Sequence, residues 1–116
     1  MDPITWGLFL IAIAAAAYGI TKLVILTATW LKTKLKKILS GKKEVVGING
    51  DKLKSILADI AEETEAISVD DLDMLLFGID EKGEIKDIEF VEAEEGLDSA
   101  AAAFMDRNNN IIRICS

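Results

Sequence analysis

Histidine is absent from this chain of 116 residues, and cysteine occurs once, at Cys115. Without them no intrachain disulfide, zinc-finger spacing, Cys/His dyad or imidazole base can be assembled. The sequence also lacks a nucleophile elbow, a phosphate loop and a dinucleotide fingerprint, and Gly47 with Gly50 is too sparse to cradle a phosphate. What remains for chemistry is carboxylates, Tyr18 and hydroxyl groups, none of them grouped with a recognisable base. The expectation is a protein that is not an enzyme and that carries neither metal nor cofactor. The lone thiol beside the C-terminus reads as a small apolar filler in a reducing compartment.

Acid is scarce in the first 43 residues, where seven lysines face only Asp2, a balance of +6. From Glu44 onward nineteen acids face six bases, a balance of −13, and the two parts give the net −7 of the chain. An acidic domain therefore follows a basic stalk. That acidity excludes direct nucleic-acid binding by the domain, since phosphate recognition needs a basic face.

The 51% hydrophobic content is concentrated in a near-continuous apolar run from Ile4 to Leu31, interrupted by Lys22. As a helix these 28 residues would extend roughly 42 Å, more than a bilayer core of about 30 Å requires. Trp6 and Trp30 would mark the two interfaces, and the pattern predicts a membrane anchor over residues 1–31. Lys22 then lies about 12 Å along the axis from Trp30, either snorkelling to the headgroups or facing a polar interior in an oligomer. A second reading ends the span at Thr21 and lays the following segment on the membrane surface, because Val24, Ala28, Leu31, Leu35, Ile38 and Leu39 recur at helical spacing.

Lys32, Lys34, Lys36 and Lys37 follow the run, with Lys42 and Lys43 beyond them, so residues 32–43 read as a basic juxtamembrane helix or linker on anionic headgroups. The lysine asymmetry predicts an outward N-terminus and a cytoplasmic C-terminal domain, or one on the interior side of a membrane-containing particle. A cleaved signal peptide fits less well, because no base precedes the apolar run and the run continues past any Ala-x-Ala site. Ala12, Ala15, Ala16 and Gly19 form four-apart small pairs that suit close helix–helix contact and self-association.

Residues 44–116 read as a small acidic α+β domain. A short strand is expected near Val45–Ile48 before the Asn49-Gly50 turn, then an amphipathic helix with Leu53, Ile56, Leu57, Ile60 and Ala61 on one face and Asp51 as its cap. Ser68 and Asp71 form a weak capping box. The runs "MLLFGID" and "EIKDIEFVEAE" around "EKG" predict a β-hairpin, with Ile88 and Phe90 on its core side. "GLDSAAAAFMDR" predicts a helix ended by three asparagines, and "IIRIC" a last strand. The fold class expected is thus a transmembrane helix, a basic extension, and a small antiparallel sheet packed by two helices on one face.

Two acidic patterns invite a metal reading. In "GIDEKGEIKDIE", Gly83 and Glu89 occupy calcium-loop positions, but Gly78 replaces the first ligand and Lys82 the third, so a hairpin turn explains it better. Asp70, Asp71 and Asp73 read as a solvated helix start. The function expected is that of a single-pass anchor, scaffold or minor structural component, possibly of a phage virion, with the bilayer and a protein partner or its own copies as its contacts. The alternative is an oligomeric effector or small pore gated through the soluble domain, in which Lys22 faces the interior.

Overall fold

The computed structural model describes residues 20–58 and 72–116. They form a mixed α+β fold with a five-stranded sheet and three helices. In chain order these are β1 (Ile20–Leu23), α1 (Ala28–Leu39), β2 (Glu44–Asn49), α2 (Gly50–Ala58), β3 (Met74–Ile79), β4 (Ile85–Ala93), α3 (Ser99–Arg107) and β5 (Ile111–Cys115). The strand order is β1-β4-β3-β2-β5, with β1 parallel to β4 and the other neighbours antiparallel.

Part of the apolar run therefore belongs to the folded unit. Among the described residues no helix is long and apolar enough to cross a membrane. The expected anchor is corrected from Ile20 onward: residues 20–23 are an edge strand, Leu26 is fully buried and bridges to Leu97, and Trp30 and Leu31 belong to α1. The physical reason is local composition. Ile20, Thr21, Val24, Ile25 and Thr27 are β-branched, stiff at χ1 and suited to a pleated surface, whereas the Ala-rich stretch before Gly19 contains few such residues. Trp6, Ala12, Ala15, Ala16 and Gly19 lie outside the described residues.

Helix α1 begins where Thr27 accepts a hydrogen bond from the Trp30 N–H at 3.1 Å, and ends at Ser40 before Gly41 at φ +76°. Its buried side chains are Leu31, Leu35 and Ile38, four and three residues apart, which makes one stripe toward the sheet. The sheet is shaved beneath that stripe. A Cβ on Gly47 would meet Leu76 Cδ2 at 3.0 Å and Leu35 Cδ2 at 3.5 Å, and one on Gly78 would meet Ile38 Cγ2 at 3.1 Å. The absence of side chains at these two strand positions lets α1 sit close.

Both sheet faces carry a core, where one had been expected. On the first, α1 and α3 cover Val45, Met74, Leu76, Val91 and Ile112, with Ala101 and Met105 contributed by α3. On the second, Leu53 of α2 joins Val46, Ile48, Leu75, Phe77 and Phe90. The strands β2 and β3 are accordingly apolar on both sides rather than alternating. The cap of α2 is Asn49, not Asp51: the Asn49 Oδ1 accepts from the Lys52 N–H at 2.9 Å. Ile60, Ala61, Ser68, Asp70 and Asp71, assigned above to the rest of that helix and to a capping box, lie outside the described residues.

The hairpin is present, with a turn held by Asp80, whose carboxylate accepts from the Lys82 and Glu84 N–H groups at 2.9 Å each, and by Gly83 at φ +80°. The register between β3 and β4 shifts between Leu76 and Gly78, where Asp87 adopts φ +54°, a bulge in β4. Asp98 caps α3 through the Ala101 N–H at 2.7 Å. The asparagines close α3 as expected, Asn109 and Asn110 taking the left-handed conformation that this residue type tolerates.

Candidate membrane-facing surface

The side of α1 turned away from the sheet is cationic. Lys32, Lys36 and Lys37 are exposed there with Thr29 and Thr33, and exposed Lys43 follows. No acidic residue occurs anywhere in α1. Lys32 Nζ lies 5.2 Å from the centre of the Phe104 ring of α3, which places its ammonium over the seam between the two helices. Residues 20–58 and 72–116 contain thirteen bases and thirteen acids, so the net −7 of the chain resides in Asp2 and in the six acids of the connection 59–71 between α2 and β3.

The remaining α1 lysine, Lys34, is held inward. Its Nζ lies 3.0 Å from Glu89 Oε2, and the Thr21 hydroxyl donates to Glu89 Oε1 at 2.8 Å. One carboxylate thereby ties β1, β4 and α1 together. Lys42 pairs with Asp87 on the bulge. Between these contacts lies a groove of about 330 Å³ lined by Lys34, Lys37, Ile38, Asp87, Ile88 and Glu89. It flanks the part of β4 that precedes the register of β1, because Ile20 pairs with Phe90. The C-terminal half of α1 is thus level with the start of β1.

Strand β1 forms one edge of the sheet, and three large apolar side chains on it and just after it face solvent: Ile20 at 48%, Val24 at 64% and Ile25 at 38% exposure. They continue directly from the apolar residues 4–19 in sequence. Lys22 stands exposed on this strand with Glu92 as its register neighbour. It is therefore a strand lysine of the folded domain, and its assignment as a lysine within a membrane helix is corrected. Trp30 likewise sits half-buried against the first core, with Lys34 Nζ 5.9 Å from its ring, instead of floating at a bilayer boundary.

A second, polar cleft of about 650 Å³ opens at the other end of the sheet, between the start of α2 and the end of α3. Asn49, Asp51, Lys54, Asp73, Asp106 and Asn110 line it. Three of these side chains are engaged in structure: Asn49 Nδ2 donates to Asn110 Oδ1 at 2.6 Å, and Asp73 Oδ2 accepts from the Ala93 N–H at 2.7 Å. Among the described residues no group of acidic or cysteine side chains is arranged to hold a metal ion. Among the described residues the ionisation clearly displaced is that of Asp80, lowered chiefly by the Glu84 N–H, with further lowering from the Lys82 N–H and the charges of Lys86 and Lys82.

Sequence reasoning selected Lys32, Lys34, Lys36 and Lys37; Lys32, Lys36 and Lys37 share one exposed face, whereas Lys34 turns to Glu89. It did not select Thr21, Glu89 or Asp87, whose roles depend on the parallel pairing of β1 with β4, for which no local sequence signal exists. A carboxylate of a strand's inner face, Glu89 at 17% side-chain exposure among apolar neighbours, was the available hint. Compared with known proteins, the chain matches no family model, no curated protein and no solved structure.

Proposed function

We propose that this chain is a non-enzymatic membrane-tethered domain, in which the apolar residues 4–19 anchor the protein and residues 20–116 form a scaffold or minor structural component at the membrane face. The carrying observation is that the apolar run passes into the folded unit without a linker: the residue after Gly19 is already paired in β1. Sixteen apolar residues from Ile4 to Gly19 correspond to roughly 24 Å of helix, at the short end of what spans a bilayer and accommodated by local thinning. A short span with no linker holds the domain against the headgroups. The lysines all follow the apolar run, which supports an outward N-terminus and a cytoplasmic or particle-interior domain. With Lys22 on the domain surface, an oligomeric pore lined by that lysine has no supporting observation.

The test is flotation of the full chain with phosphatidylcholine vesicles at high salt, beside a Leu10→Arg/Ile13→Arg variant. The full chain rises with the lipid and the variant does not. A wild-type chain that stays at the bottom of the gradient overturns the anchor.

A further inference from the structure

We infer that the outer face of α1 is a docking surface for anionic lipid headgroups, and that the domain lies with its α1/α3 layer against the membrane; this orientation rests on the anchor proposed above. Three observations converge on it. First, α1 is amphipathic with a solvent face whose only charges are Lys32, Lys36 and Lys37. The other two lysines nearby are spoken for, Lys34 by Glu89 and Lys42 by Asp87, so the molecule neutralises its inner lysines and leaves the outer three without an ion-pair partner among the described residues. Second, among the described helices only α1 presents a solvent face charged with one sign. The neighbouring helix α3 shows Ser99, Ala100 and Ala103 to solvent, with Asp106 and Arg107 offsetting each other. On the opposite face α2 mixes Asp51 with Lys52 and Lys54, so it offers no face of one sign.

Third, the tether arrives at the correct end. Strand β1 begins opposite Phe90 and runs parallel to β4, while α1 returns so that Lys34 meets β4 at Glu89 and Lys42, just past the helix, meets it at Asp87. The chain therefore enters the domain beside the Lys36–Lys37 end of α1. Exposed Ile20, Val24 and Ile25 line the same edge and suit the interfacial zone between headgroups and acyl chains. A polyanion without an apolar layer, such as a nucleic acid, would use the lysines and leave this apolar edge in water, which is why lipid is the better occupant.

The experiment uses the full chain with Cys115→Ser and a single environment-sensitive fluorophore, placed either at Thr33→Cys on the outer face of α1 or at Ser55→Cys on α2 as a control. Both positions are exposed. On phosphatidylcholine vesicles containing phosphatidylglycerol, the label at position 33 shifts to the blue and the label at 55 does not. Raising the salt reverses the shift. Replacing Lys32, Lys36 and Lys37 together by Gln weakens docking by about fivefold per lysine, roughly a hundredfold in all, whereas the triple Arg variant retains it. The inference is overturned if the chain floats with lipid but the two labels respond alike, or if position 33 responds to duplex nucleic acid and not to anionic vesicles. Flotation on phosphatidylcholine alone reports only the anchor. A chain that fails there yet shows the shift at 33 on anionic vesicles keeps the docking surface and loses the tether.

Discussion

Leu31 separates the folded-domain account from a continuous membrane span most sharply. In the structure it is 0% exposed, in the first core with Leu26, Leu35, Met105 and Ala101. Truncation to Ala removes three carbons from a site walled by two helices and a sheet, where collapse is limited, and the expected cost is about 3 kcal/mol within the usual range for buried leucines. For a domain of this size that corresponds to a fall in Tm on the order of 10–20 °C. Val24→Ala, at 64% exposure, is the matched control and should stay within about 0.5 kcal/mol. Thermal and urea unfolding of the full chain in detergent, followed by far-ultraviolet circular dichroism, measures both. In a helix immersed in lipid the two substitutions would be nearly equivalent, because each exchanges one apolar side chain for another. Equal effects from Leu31→Ala and Val24→Ala would refute the placement of α1 in the core.

Gly50→Ala is expected to cost about 3 kcal/mol, since the added Cβ would lie 1.8 Å from the Leu72 carbonyl oxygen, a backbone atom that cannot turn aside; a denaturation midpoint within error of wild type would contradict the β2–α2 junction. Glu89→Ala removes the acceptor shared by Thr21 and Lys34 and is expected to destabilise by about 1 kcal/mol, with hydrogen exchange accelerating first in β1. Uniform acceleration across the sheet would argue against Glu89 as the link to the edge strand. Asp80 has its folded-state pKa lowered below the ordinary 3.8, chiefly by the Glu84 N–H. Its contribution to stability is therefore complete above the unfolded pKa and is lost as pH falls through the lower folded value. Asp80→Asn should flatten the acid dependence of unfolding below about pH 4, and an unchanged slope would remove Asp80 from the turn's acid response.

How much of this was legible in the sequence depends on whether the determining contacts are local. The hairpin around Asp80–Gly83, the asparagine stop of α3, and the i, i+4, i+7 stripe Leu31, Leu35 and Ile38 all rest on residues a few positions apart, and each is found in the structure. The start of β1 inside the apolar run was not legible from hydropathy, because a short apolar strand does not stand out from the apolar residues before it. β-branching from Ile20 to Thr27 carried the distinction, and it is a weaker signal than hydrophobicity. Equally hidden was the second core. Phe77, Leu75 and Val46 alternate with Leu76 and Val45 in runs without polar interruption, which is how a strand covered on both faces reads. Of the candidate surface, the lysines were visible as a cluster. Their division into inward Lys34 and Lys42 and outward Lys32, Lys36, Lys37 and Lys43 required the tertiary positions of Glu89 and Asp87.

The pairing of β1 with β4 is the claim on which the rest turns, since it takes Ile20 to Leu31 out of the bilayer and puts Lys22 on the domain surface. The register sets Lys22 beside Glu92 on adjacent strands. In a Cys115→Ser chain reconstituted in vesicles, Lys22→Cys/Glu92→Cys should cross-link on mild oxidation. A Lys22→Cys thiol that forms no bond to position 92 would contradict the account and restore the continuous span.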